Sequence, residues 1–152
     1  HAGGVPMLLE RQSVPVIGPH PDDQFLLDAL PETTASYGFP VCPVFAPTRW
    51  LHEGDTLSVG NFAFDVLHIP GHTPGHVVFH CAAAKLLIAG DVLFYESIGR
   101  TDFPRGNHQD LLENIRHKLF RLPNDTLVIP GHARTTTIGH EKQFNPYVGE
   151  AA

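Results

Sequence analysis

Cysteine is nearly absent from this 152-residue chain, which carries only Cys42 and Cys81. Two thiols so far apart do not make a disulfide-stapled secreted scaffold and read as reduced, small, buried residues. Long apolar runs are missing as well. A membrane-spanning helix needs about 20 consecutive apolar residues; no stretch approaches that, and no secretory signal is visible. Positive charge is in short supply: 10 basic against 16 acidic side chains leave a formal charge of -6. Nucleic acid is therefore not the expected partner, and neither is a membrane. An initiating methionine is lacking too, since residue 1 is histidine. The expectation is a cytoplasmic protein, with no signal in the sequence for its oligomeric state.

What the chain does have is histidine, 11 in all, and a pattern that repeats three times. Leu67-His68-Ile69-Pro70 runs into Gly71-His72, Leu86-Leu87-Ile88-Ala89 into Gly90-Asp91, and Leu127-Val128-Ile129-Pro130 into Gly131-His132. A glycine at a strand's exit lets the backbone turn sharply and aim the next side chain into a cleft. Side by side, such strands deliver two imidazoles and a carboxylate to one place, as a catalytic metal requires. His20, His52, His117 and His140 sit beside turns or on helices and read as surface or capping residues.

Length and a hydrophobic content of 42% suit one globular domain over residues 1–152. Pro6 to Gln12 reads as the end of a helix, Val14 to Gly18 as a short strand, and residues 21–38 as helical. Residues 41–50 are proline-rich and irregular. Thr56–Val59 and Phe62–Ile69 form a hairpin about Gly60-Asn61, and Val77–Cys81 with Lys85–Ala89 form a second. Asn107 to Arg121 is the clearest helix: Leu111, Leu112, Ile115, Leu119 and Phe120 share a face, Asn107 caps it and Pro123 stops it. Leu127 to Ile129 is a last buried strand. The expected class is α/β, in layers with helices covering a sheet.

The motifs carry a resemblance. Pro70-Gly71-His72-Thr73-Pro74-Gly75-His76, Gly90-Asp91-Val92-Leu93-Phe94, Gly99 to Gly106, Pro130-Gly131-His132 and Gly139 to Pro146 together resemble the metallo-β-lactamase-fold hydrolases, and among them the short glyoxalase II-like members. The resemblance implies an αβ/βα sandwich with a dinuclear metal site at one edge of its sheets. It also gives His1 a meaning. His1-Ala2-Gly3-Gly4 looks like the final histidine of the family signature His-x-His-x-Asp-His and its continuation, so the chain is expected to be the C-terminal portion of such a domain, incomplete at the N-terminus.

Carried over, the family pattern makes Asp91 the carboxylate that bridges two metals, His72 a ligand of the first, and His1 and His132 ligands of the second. Two ions belong to the intact family site; one or none is expected here. Zinc is the expected metal, with iron or manganese as alternatives. The implied chemistry is hydrolysis of S-acylglutathione-type thioesters by a hydroxide generated at the metal, so no serine or cysteine nucleophile is needed. His76 reads as a residue that orients the ligands from behind. Arg100 and Arg105 read either as substrate contacts or as loop salt-bridge residues: Gly99-Arg100 resembles the position of a basic residue that grips glutathione, while Asp102 stands where the family has tyrosine. Two other readings compete. The stretch from Gly99 to Phe103 also resembles the persulfide dioxygenases of the same fold, which use one iron held by two histidines and an aspartate, although Gly131 favours the hydrolase branch. Alternatively, the chain is an inactive fragment or a module that needs a partner to cover an open sheet edge.

Overall fold

The computed structural model describes residues 1–150 and 152, and these cluster into two compact units, His1–Leu51 and His52–Ala152. In the first unit a 3-10 turn (Ala2–Gly4) leads into α1 (Val5–Arg11), whose first turn holds a proline, Pro6. A second 3-10 turn, Pro21–Asp23, starts where His20 Nδ1 accepts the Asp22 N–H at 3.1 Å, so His20 is the capping residue expected. The helical reading of residues 21–38 holds, but in pieces: α2 (Gln24–Asp28) and α3 (Leu30–Ser36) break at Ala29. Pro31 explains the break, since it has no N–H to continue the α2 ladder.

The strand expected at Val14–Gly18 is corrected. Only one parallel bridge forms, Ile17 to Arg49, with Gly18 N donating to Arg49 O at 2.8 Å and Thr48 N to Val16 O at 2.7 Å. Pro15 and Pro19 flank the bridge and offer no donors to lengthen it.

The second unit is built on a six-stranded sheet. Its strands are β1 (Thr56–Val59), β2 (Phe62–His68), β3 (Val77–Cys81), β4 (Leu86–Gly90), β7 (Leu127–Pro130) and β8 (Thr136–Thr137), in that spatial order. A separate two-stranded hairpin, β5 (Leu93–Phe94) with β6 (Ser97–Ile98), follows β4. Both expected hairpins form, as β1–β2 and β3–β4, each antiparallel. β4 and β7 pair in parallel, a connection that needs a crossover element. The chain supplies α4 (His108–His117), tightened at its end into a 3-10 turn, Leu119–Arg121.

The α4 cap is where the sequence put it: Asn107 Oδ1 accepts the Asp110 N–H at 3.0 Å. Leu111, Ile115 and Leu119 are fully buried and pack with Val78, Leu87, Ala89 and Val128 from the facing side of the sheet. Burying each large aliphatic side chain contributes roughly 1.5–3 kcal/mol. β7 is not the buried last strand expected. Val128 faces the core while Leu127 and Ile129 are 40% and 38% exposed, and β8 and α5 (Ile138–Phe144) come after it.

Strand direction is what positions the site. β2 and β4 each run antiparallel to β3, and β7 runs parallel to β4. So β2, β4 and β7 all point the same way, and their Gly-ligand exits leave from one edge of the sheet. Cys42 and Cys81, one in each unit, are free and buried.

Candidate metal centre

His72, Asp91 and His132 converge at that edge. Gly131 N donates to Gly90 O at 2.7 Å, which ties the β4 and β7 exits together one residue before their ligands. Nε2 of His72 lies 3.6 Å from Asp91 Oδ2, and Nε2 of His132 lies 3.4 Å from the same oxygen. His72 and Asp91 are largely enclosed, while the His132 side chain is 63% exposed. Phe94 approaches the His132 ring edge-on at 6.0 Å, and Phe103 the His72 ring at 5.5 Å.

Hydrogen bonds behind the ligands fix their chemistry. His72 Nδ1 is 2.7 Å from the Arg100 carbonyl oxygen, an acceptor only, so Nδ1 carries the proton and Nε2 keeps its lone pair. His76 stands behind Asp91: its Nε2 accepts the Asp91 N–H at 3.1 Å. Burial, helped by the neighbouring His72, lowers the His76 pKa from 6.5 to about 4, so the ring stays neutral and able to accept.

The fit to a divalent cation follows from these positions. Each Nε2 faces Asp91 Oδ2 at 3.4–3.6 Å, which is beyond hydrogen-bond length. Tetrahedral zinc, with ligand bonds near 2.0–2.2 Å, holds its nitrogen and oxygen donors about 3.4 Å apart. One carboxylate oxygen within that reach of both imidazoles is also what a bridging ligand requires. Gly131 completes the cradle, because a Cβ there would lie 2.2 Å from Asp91 Oδ1. The donor set fits the metal.

Burial of His76 has a consequence for the metal-free protein. The unfolded ring takes up a proton near pH 6.5, whereas the folded ring resists until about pH 4. Stability is therefore full above pH 6.5 and is lost as pH falls towards 4, by roughly 1–2 kcal/mol between pH 7 and pH 5. Urea denaturation at the two pH values should show this slope, and a His76→Gln variant should flatten it. An equal slope in the variant would show that other groups carry the pH dependence.

His1 opens the first unit and is exposed. Arg100 and Arg105 lie on the loop after β6, and Arg100 is paired through Nε with Asp102 Oδ1 at 2.6 Å. Sequence reasoning missed the Arg100 carbonyl as the partner of His72, along with the roles of Phe94 and Phe103. A backbone acceptor leaves no trace in residue identity, whereas Phe94 and Phe103 lie within the Gly90–Phe94 and Gly99–Gly106 motifs. His140 was expected as a surface or capping residue, with no partners named. It stacks on Tyr95 at 4.9 Å and pairs with Glu96 Oε1 at 3.0 Å.

Strand exits that focus two histidines and an aspartate on one point, beside an α/β sheet, define a metallohydrolase-type centre. Residues 1–132 match the model of the Metallo-beta-lactamase superfamily, and the chain belongs to that family. It is 44% identical over 149 residues to "Hydroxyacylglutathione hydrolase GloC" of Haemophilus influenzae, an alignment that covers 97% of this chain and 70% of that protein. Among solved structures it is similar to the BLEG-1 B3 metallo-beta-lactamase (TM-score 0.87, 37% identity) and to a di-iron-bound form of TTHA1623 (TM-score 0.86, 36% identity). Each of these covers 97% of this chain and 71% of the other. ETHE1 from Myxococcus xanthus follows, with TM-score 0.75, 29% identity and coverage of 97% and 59%. The layered α/β fold class expected from the sequence is thus the one found, and the fold supports a hydrolase with a divalent metal site. No helix among the described residues is long and apolar enough to cross a membrane.

Proposed function

We propose that the chain is a cytoplasmic, metal-dependent hydrolase of small-molecule thioesters of the S-acylglutathione class. The observation that carries this reading is the convergence of His72 Nε2 and His132 Nε2 on Asp91 Oδ2. The likeness to GloC of Haemophilus influenzae supports the thioester as substrate. Asp91, His72 and His132, with His1 as a further ligand, would hold the cation, most fittingly zinc. Bound there, a divalent cation lowers the pKa of water and polarises a carbonyl.

The chain's own residues do the rest. Asp91 supplies the negative charge that retains a dication. His76 holds the Asp91 backbone, and the Arg100 carbonyl holds His72 in the tautomer that leaves Nε2 free to coordinate. Phe103 and Phe94 meet the rings of His72 and His132 edge-on and limit how each can turn. Arg105 is the proposed contact for a substrate carboxylate.

The experiment is metal content per chain by mass spectrometry, followed by hydrolysis of S-lactoylglutathione by the zinc-loaded and iron-loaded protein. Thioester cleavage that is lost on chelation and restored by zinc is the expected result. A second reading rests on the same donor set, because two histidines and one carboxylate also make the iron triad of oxygen-activating enzymes; a di-iron-bound form is known for the similar TTHA1623. Oxygen consumption on glutathione persulfide by the iron form, with no thioester cleavage by either form, would replace the first reading by that one.

A further inference from the structure

The loop after β6 wraps around His72. Gly99 N donates to Val92 O at 3.1 Å, and a Cβ on Gly99 would lie 1.9 Å from Asp91 O and 3.3 Å from His72 Nδ1. Only a residue with no side chain brings the next peptide this close to both ligands. Arg100 then offers its carbonyl to His72 Nδ1 at 2.7 Å. Its side chain turns back on the loop: Nε and an Nη donate to the two carboxylate oxygens of Asp102, each at 2.6 Å. The guanidinium carbon sits 4.2 Å from the centre of the Phe103 ring. Phe103 in turn meets the His72 ring edge-on at 5.5 Å. Backbone and side chain of one arginine thus reach the same imidazole by two routes.

We infer that Arg100 and Asp102 form a clamp that positions His72, holding its Nδ1-protonated tautomer and aiming Nε2 at Asp91, rather than a grip for the substrate. The functional consequence rests on the metal centre proposed above. The pair is more than half exposed at both side chains, and such pairs contribute little to stability. What a two-pronged Arg–carboxylate pair supplies is geometry. Its effect falls on the peptide between the two side chains, which carries the His72 acceptor. Both carboxylate oxygens of Asp102 lie on the Nε–Nη edge of the guanidinium, so a substrate carboxylate would have to displace Asp102 to take that edge. Arg100 is a positioning residue.

Zn2+ alone is the probe, measured on the full chain by competition with a chromophoric chelator. Arg100→Ala and Asp102→Ala should each weaken Zn2+ binding about tenfold, the low end for groups behind a metal-bound imidazole, because the carbonyl itself remains. Arg100→Lys should recover little, since an ammonium does not span both oxygens. In a His72→Ala background, Arg100→Ala should cost nothing further. Imidazole nitrogen NMR of the metal-free chain should show His72 with its proton on Nδ1 in the native protein and a tautomer mixture in Arg100→Ala. Thermal melts confirm that each variant is folded. Unchanged affinity with an unchanged tautomer, or the same tenfold loss in the His72→Ala background, overturns the clamp. A native chain that takes up no Zn2+ overturns the metal centre instead, and the nitrogen spectra still decide the clamp.

Discussion

Asp91→Ala is expected to weaken metal binding by about 100- to 1000-fold while leaving the fold in place. Structural zinc sites bind with about 10–16 kcal/mol over four ligands, so each ligand supplies roughly 2.5–4 kcal/mol. Asp91 should sit at the upper end of that range. It alone among the three converging donors is anionic, and its Oδ2 is the atom both imidazoles approach, at 3.6 and 3.4 Å. His132→Ala removes one neutral donor whose side chain is 63% exposed and should cost less. Calorimetric titration with Zn2+ ranks the two variants. Equal or greater loss in His132→Ala would show that Asp91 is not the hub of the site. Because Asp91 follows β4 and the sheet pairing does not use its side chain, the melting temperature should move by only a few degrees.

The convergence behind that prediction was legible in the sequence because it depends on local rules. A glycine after a buried run marks an exit, and the residue after it is aimed by the turn. What remained to be supplied was strand direction, and the two hairpins provided it: β3 between β2 and β4 makes those two run alike. The α4 cap at Asn107 was legible for the same local reason. By contrast, Val14–Gly18 had the composition of a strand but lacked donors at its prolines, and its one partner, Arg49, lies some thirty residues away. β5, β6 and β8 are two residues each, too short for any alternation to register. Leu127 and Ile129 looked like core because their run is unbroken, yet only Val128 between them is fully buried. Alternation is set by which face the helix covers, and that is tertiary information. The Arg100 pairing shows the same limit at the site: residue identity left a substrate contact and a loop salt bridge both open, and it is the fold of the loop that brings Asp102 onto the Nε–Nη edge.

The deepest surprise is Glu141, because an acidic residue on a short helix reads as solvated and this one is fully buried. Its carboxylate gathers three segments. Oε1 accepts from Thr136 Oγ1 at 2.6 Å on β8, Oε2 accepts from Asn145 Nδ2 at 2.7 Å past the end of α5, and both receive the Glu96 N–H, at 3.2 and 3.0 Å. Glu96 is held at φ 51 between β5 and β6, a left-handed conformation that costs about 1–2 kcal/mol in a non-glycine residue. The bond to Glu141 offsets that cost. Asn145 carries the network on, donating to Ser97 O at 3.1 Å and accepting from Tyr147 N at 3.0 Å.

Glu141→Ala should therefore destabilise the protein by about 3–4 kcal/mol. It leaves the Thr136 hydroxyl, the Asn145 amide and the Glu96 N–H without their acceptor and empties the space that the fully buried side chain filled. For a chain of this size that corresponds to a fall of roughly 10 °C in melting temperature. Glu141→Gln separates shape from hydrogen bonding. Its amide can face the Thr136 hydroxyl, which is able to reverse and accept, while its carbonyl keeps the Asn145 and Glu96 donors. The loss should then be about a third of that in alanine. If glutamine costs as much as alanine, the full negative charge is what the three segments require; if neither variant moves the melt, the network is not what joins β8, α5 and the β5–β6 turn.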